Sequence, residues 1–336
     1  MAIIDAIGFD DADAVLAITD GGSHSIDTTS PRTGARCLRL NSSGIGAQSS
    51  AQYTIATLAT AFVYFAFNAT ILTNSGFLDF LDNTTVHLRL NVRADGHFEV
   101  FRGAGTTSLQ IGTFVYTASA YTQCAIKYSI ADAGGTFELR LNGSTTPDIT
   151  FTGDTRNAAN AQVTNYIWRS PSGNSASLRL DDLVFQDTTG SAPENDWLGD
   201  VGCEYAFPNG VASNNWTVTG AADAAAATSE VPADDGTSTI DSATVGQKAL
   251  LDYDNLVVTS GTIYAAVHVI RAIKSAAGPR EIRSTNKLAG TEVNGSSQAL
   301  ATGWARYRQV YHRDPSGSAW TGANFNSAQW STEVTV

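Results

Sequence analysis

Thr85-Val-His-Leu-Arg-Leu-Asn-Val-Arg93 alternates without exception: Val86, Leu88, Leu90 and Val92 fall on one side, His87, Arg89, Asn91 and Arg93 on the other. A period of two is the pattern of a β-strand with one buried face. Ala94-Asp-Gly96 follows it, and Asp-Gly supplies the positive φ angles of a tight hairpin, so His97-Phe-Glu-Val-Phe-Arg102 returns as the antiparallel partner. Thr136-Phe-Glu-Leu-Arg-Leu141 repeats the alternation and ends on Asn142-Gly143.

Arg36–Leu40, Ala61–Phe67, Gln123–Ser129 and Leu178–Phe185 read as further strands of the first half. Ala61-Phe-Val-Tyr-Phe-Ala-Phe67 is apolar on both faces, which suits a central strand covered by a partner sheet. Gln186–Asn195 is polar, carries Gly and Pro and has no large apolar residue, so it reads as a linker. Beyond it Ala249–Tyr253, Thr262–Arg271 and Ala305–Tyr311 are strands again, while the alanine-rich run Thr219–Thr228 has nothing large to dock and reads as an exposed loop. Short strands between turn residues, without a 3.6-residue period, define a β-sandwich class. The expected organisation is a first sandwich over 1–188, a linker at 189–195 and a second sandwich over 196–336.

Composition narrows the function. Only 15% of the 336 residues are charged, and the net charge is −12. Before residue 190 there are 17 acids and 11 bases, and after it 15 and 9, so each half carries −6 with no basic patch. Nucleic acid needs clustered Lys and Arg and is excluded as a partner, as are anionic membrane surfaces. No apolar run approaches the ~20 residues of a membrane span, and the acidic N-terminus lacks the basic start of a signal peptide. Cys37, Cys124 and Cys203 are too few and too widely spaced for a disulfide framework or a CxxC metal site, so they are expected as free, buried thiols.

Ile7-Gly-Phe-Asp10, Gly34-Ala-Arg-Cys-Leu-Arg-Leu40 and the closing Leu180-Asp-Asp-Leu-Val-Phe185 resemble a concanavalin-like jelly roll of the laminin-G type over residues 1–188. In the second half, Asp196-Trp-Leu-Gly-Asp-Val-Gly-Cys-Glu204, Phe207-Pro-Asn-Gly210, Trp216, Glu230–Thr239, Val245-Gly-Gln-Lys248, Ser260–Tyr264 and Asp314–Thr321 occur in an order similar to a region of structural proteins of tailed bacteriophages. That resemblance implies a virion component without enzymatic activity.

Candidate chemistry is sparse. Glycoside hydrolysis needs two carboxylates about 5–10 Å apart. Glu99 and Glu138 are each alone on a strand, and the adjacent Asp181 and Asp182 should point to opposite faces. His87, Arg89 and Arg93 share one strand face, with Arg102 across the hairpin, and form the nearest thing to a glycan-facing patch. Asp10, Asp11 and Asp13 gather three carboxylates within four residues, and laminin-G-like domains often bind calcium, although the loop lacks an Asp-x-Asp-x-Asp-Gly geometry. The five His show no HxH or HExxH spacing. Trp320, in the Gly- and Ser-rich loop Pro315–Gly322, is the aromatic expected to be exposed at an interface.

The sequence therefore leads to an all-β chain of two jelly-roll-like β-sandwich domains in tandem. The expected role is that of a non-enzymatic phage structural protein, tail-associated or on the capsid surface, with no catalytic residue. It would be made in the host cytoplasm, pack against other virion proteins and copies of itself, and touch host surface glycan. A carbohydrate-binding module pair is the alternative, and a glycan-degrading enzyme the third reading.

Overall fold

A computed structural model describes residues 3–336 except 13–15, 20, 45, 74, 106, 174, 192–193, 259 and 277–279. The chain divides into two compact units, Met1–Cys203 and Glu204–Val336. The division falls after the polar stretch 189–195 that the sequence marks as a linker, because residues 194–203 pack on the first unit.

Two antiparallel sheets make the first unit. One runs, in spatial order, Ile149–Gly153, Gly135–Leu141, Thr122–Ser129, Thr60–Ala69, Ser177–Gln186, Cys37–Asn41 and Ser23–Asp27, with Ile3–Ile7 also pairing on Ser177–Gln186. The other runs Thr107–Val115, His97–Arg102, Thr85–Val92, Ser75–Asp82, Val163–Arg169, Ser50–Leu58 and Ala17–Thr19. Strand alternation turns one face of each sheet inward. Val63, Phe65, Phe67, Ile126, Leu139 and Leu180 from the first meet Leu78, Phe80, Leu88, Leu90, Phe98 and Trp168 from the second in one continuous core. This is the all-β sandwich that the alternation of Thr85–Arg93 predicts.

The doubly apolar strand has a specific explanation. Thr60–Ala69 is central, paired on both sides, and its Phe62 and Tyr64 lie on the outer face yet are fully buried. Residues 194–203 form a strap over them. Trp197 meets Phe62 edge to face at 5.2 Å, and the Arg140 guanidinium lies 4.1 Å over the indole. Gln186 Nε2 donates to the Glu194 and Asp196 carbonyls, and Leu198 N–H donates to the Tyr64 hydroxyl at 3.2 Å. Covering a large side chain of this kind stabilises by about 1.5–3 kcal/mol each.

Asp181 and Asp182 anchor the far end of the strap and correct the expectation that they point apart. Pairing with Thr60–Ala69 slips between Asp181 and Val184, and Asp182 adopts φ +54°, so both carboxylates reach the same loop. Asp181 Oδ2 accepts from the Arg32 and Thr33 backbone N–H groups, at 2.8 and 3.3 Å. Asp182 accepts from Arg32 Nη1 at 2.7 Å, Thr33 Oγ1 at 2.5 Å and the Cys203 N–H at 2.7 Å. Burial, reinforced by the neighbouring Asp182, pushes the Asp181 carboxyl up to about 8.

The second unit is also all-β apart from the short helix Gly322–Asn326. Its main sheet runs Pro208–Asn214, Lys248–Tyr253, Gln329–Val334, Glu281–Leu288 and Thr291–Asn294, with Gln298–Ala299 on Glu281–Leu288. Ala266–Ala272 pairs with Ala305–Tyr311, and Thr217–Thr219 with Thr239–Asp241. A polar chain crosses its core. The Tyr311 hydroxyl donates to Ser284 Oγ at 2.9 Å, Ser284 Oγ lies 2.7 Å from His268 Nδ1, and His268 Nε2 lies 3.1 Å from the Tyr253 hydroxyl. The alanine-rich run is not an open loop, since Ala224, Ala225 and Ala227 are buried. None of the three cysteines forms a disulfide; Cys37 and Cys124 are buried and Cys203 is half-buried.

Candidate functional site: the outer face of the seven-stranded sheet

The strand Thr85–Val92 that decides the fold also carries the site. Leu88 and Leu90 enter the core, so Arg89 and Asn91 stand on the outer face with their cross-strand partners. Direct register neighbours form a row across four strands: Phe101, Arg89, Asp79 and Ile167, continued by Gln52 on a fifth. Phe101, Arg89, Ile167 and Gln52 are half-buried, and Asp79 lies fully buried among them.

Asp79 clamps two arginines. Arg89 donates side-on through Nε to Oδ1 at 2.6 Å and Nη2 to Oδ2 at 2.8 Å, and its Nη1 reaches the Ala104 carbonyl at 3.0 Å. Arg169, from the neighbouring strand on the other side, donates to Oδ2 through Nε at 3.2 Å and Nη2 at 2.8 Å. Gly76 makes room, because a Cβ there would stand 2.6 Å from Arg89 Nε. The hydrogen-bonded carboxylate raises the Arg89 guanidinium above its ordinary value, keeping it charged. Charge-assisted forks of this kind are short, directional and strong. In the next row Glu99 accepts from Arg93 Nη1 at 3.1 Å and from Ser108 Oγ at 2.6 Å, beside Asn91.

The four glycan-patch candidates separate. Arg89 and Arg93 stand on the face. His87 shares their side but is fully buried beneath residues 155–162, where Nδ1 accepts the Asn157 N–H at 3.0 Å and burial lowers its basicity. Arg102 pairs in register with Leu88, a core residue, so it lies on the opposite side and joins Asp154 instead. Its misplacement follows from the hairpin: Arg93 N–H donates to the His97 carbonyl across a three-residue loop, and one residue of slip reverses every side chain. Asp79, Phe101, Gln52 and Arg169 went unnoticed in the sequence. An aspartate inside the apolar Phe77-Leu-Asp-Phe80 was the available signal.

Elsewhere, the Asp10 carboxylate is spent on the protein, accepting the Ala35 and Arg36 N–H groups at 2.6 and 2.8 Å, while burial raises its pKa. Asp11 adjoins it, and Asp13 lies outside the described residues. Among the described residues no three His, Cys, Asp or Glu side chains come together as a metal-holding group. Trp320 is not an exposed interface residue. It is 3% exposed, stacks on Trp330 at 5.8 Å and donates from Nε1 to the Tyr311 carbonyl, because the main sheet of the second unit needs its ring as core.

No known protein family matches the chain, and no curated protein matches it. Solved structures do. "Cellulose induced protein, Cip1" is 16% identical, covers 60% of this chain and 100% of its own, with a TM-score of 0.42. Domain 4 of AbnA, a GH43 extracellular arabinanase from Geobacillus stearothermophilus in complex with arabinotriose, is 17% identical over 55% of this chain and 93% of its own, with a TM-score of 0.40. A Trypanosoma rangeli sialidase mutant is 12% identical over 55% of this chain but only 30% of its own, with a TM-score of 0.36. Lectins are among the other matches, one from Griffonia simplicifolia with a TM-score of 0.36 and peanut lectin with a TM-score of 0.37. The expectation that the chain is not an enzyme is withdrawn on this finding, because sialidases and an arabinanase domain stand among those structures.

Proposed function

We propose that the chain binds carbohydrate, and that the outer face of the seven-stranded sheet in the first unit is the surface that meets the glycan. One observation carries the reading: the row Phe101–Arg89–Asp79–Ile167–Gln52, in which a buried carboxylate fixes planar donors among apolar side chains. A sugar ring offers C–H faces edged by hydroxyl groups. It is matched by flat apolar surface carrying a few placed polar groups. Mounting those groups on strands, with their rotamers locked by Asp79, removes the ordering cost a loop would impose on binding.

A glycan array probed with the full chain tests this. Binding to a subset of glycans is expected, falling at least tenfold for Arg89→Ala and for Phe101→Ala. Wild-type binding by a folded Arg89→Ala variant would overturn the assignment of the face. Sugar release in the same incubations is followed alongside, since turnover would make the face an active site.

A virion location, with other virion proteins and further copies of the chain as partners, rests on the order of sequence motifs in the second half. None of the structures named above is a virion protein. Finding the chain in a density map of an intact particle would test that location.

A further inference from the structure

His87 stands on the same side of its strand as Arg89, two residues along, yet it is fully buried because residues 155–162 lie over it. Its Nδ1 accepts the Asn157 N–H at 3.0 Å. A backbone amide can only donate, so Nδ1 carries no proton and the neutral ring bears it on Nε2. Nε2 is buried and has no hydrogen-bond partner among the described residues. The bond that closes residues 155–162 over the ring therefore exists only while the ring is neutral.

Both ends of this segment are fixed and its middle is lightly held. Thr155 is fully buried, its N–H donating to the Ala131 carbonyl at 3.0 Å and its hydroxyl to the Ser129 carbonyl at 2.7 Å. Val163, also fully buried, fixes the other end. Between them the apolar side chains are Ala158, Ala159 and Ala161, and no residue of 156–162 is buried. Asn157 Nδ2 donates to the Val86 carbonyl, Asn160 Nδ2 to Asp82 Oδ2 and Gln162 Nε2 to Asp82 Oδ1, each at 3.0 Å. Segments with so little buried apolar contact open locally at low cost. The charges around the ring are few. Asp82 comes from the neighbouring strand, Arg156 from the covering segment, where it pairs with Asp132, and Arg89 from the strand of His87 itself, held by Asp79. Arg102 of the hairpin partner turns to the other side and joins Asp154. Burial outweighs the pull of Asp82 and lowers the pKa of the ring.

We propose that residues 156–162 are an acid-released latch over one end of the outer sheet face, opened by a proton taken from solvent at His87 Nδ1. An imidazolium donates from both nitrogens, so Nδ1–H faces the Asn157 N–H, donor against donor, with the cation shut away from water. Lifting the segment removes the clash, hydrates the ring and frees Asp82 from Asn160 and Gln162 to pair with it. His87 then joins Arg89 on the exposed face. The latch rests on the contacts of the ring, whereas the lengthening of the ligand surface on opening rests on the glycan-binding assignment of that face. The closed latch is complete above the ~6.5 of a free imidazole and is lost as pH falls through the lowered value.

The test is hydrogen–deuterium exchange of the full chain, read by mass spectrometry at about pH 7.5 and about pH 4.5 and corrected for the intrinsic rate. Peptides over 156–162 should lose protection at least tenfold in acid, while the central strand Thr122–Ser129 stays within twofold. His87→Asn places an oxygen acceptor where Nδ1 stands and does not titrate, so it should keep the segment protected at both values. Asp82→Ala should leave it open at both. Equal protection of the wild type at the two values would overturn the proposal, as would a loss shared by the whole first unit or an equal acid loss in His87→Asn. If neither variant folds, the wild-type comparison still decides. The glycan array repeated at both values reads the consequence. A change of at least threefold in the wild type, absent from His87→Asn, ties the latch to the face, and a constant signal over an opening segment would overturn that link. Failure of every glycan at both values would remove the glycan reading and leave the latch standing.

Discussion

Replacing Asp79 with alanine should cost the first unit more than any other single change on its outer sheet face. The variant strands two guanidinium groups side by side without an anion. Breaking a buried ion pair by removing one partner costs about 3–5 kcal/mol. Here the arginine side chains keep 19% and 29% of their exposure, so water recovers part of the loss and about 2–4 kcal/mol is expected. For a unit of this size each kcal/mol moves the midpoint by about 2–4 °C, which gives a fall of about 4–16 °C. Scanning calorimetry, with urea unfolding as a second measure, reads it. The decisive control is Asp79→Ala placed on an Arg89→Ala, Arg169→Ala background, where the stranded charges are gone and the further loss should stay below about 1 kcal/mol. A small loss in the wild-type background, or an undiminished one in the arginine-free background, would refute the reasoning. Glycan binding should fall in parallel, because both arginines lose their fixed orientation.

Three further outcomes follow from buried groups. Burial lowers His268 to about 4, beneath the ~6.5 of a free imidazole, so its contribution is complete above 6.5 and lost as pH falls through 4. The second unit should melt earlier with each step from pH 6.5 to 4, and His268→Gln should flatten that slope. Asp181 is raised to about 8 from the ~3.9 of a free carboxyl, so its contribution is complete below 3.9 and lost as pH rises through 8. The first unit should lose stability between pH 5 and 9 in calorimetry, with Asp181→Asn removing the trend. Trp197→Ala uncovers Phe62 and removes the platform under Arg140, and urea unfolding should show a loss of about 2 kcal/mol.

Periodicity, which any window of sequence displays, was enough for the all-β class, for the inward set Leu88 and Leu90, and for the outward set Arg89 and Asn91. A side chain's face depends only on its position within its own strand. That the three widely spaced cysteines form no disulfide was equally legible, since it needs only their number and spacing. Which strands become neighbours is not a local property. Asp79 and Arg169 are 90 residues apart and meet because Val163–Arg169 inserts beside Ser75–Asp82. One residue of hairpin length placed Arg102 on the wrong side, a left-handed Asp182 turned two acids toward one loop, and a strap from beyond the expected linker covered Phe62 and Tyr64. Each of these depends on register or long-range pairing, where a shift of one position changes the face of every residue that follows. The alternation of the chain fixed which side chains could be presented, and only the packed sheets determined which of them stand together.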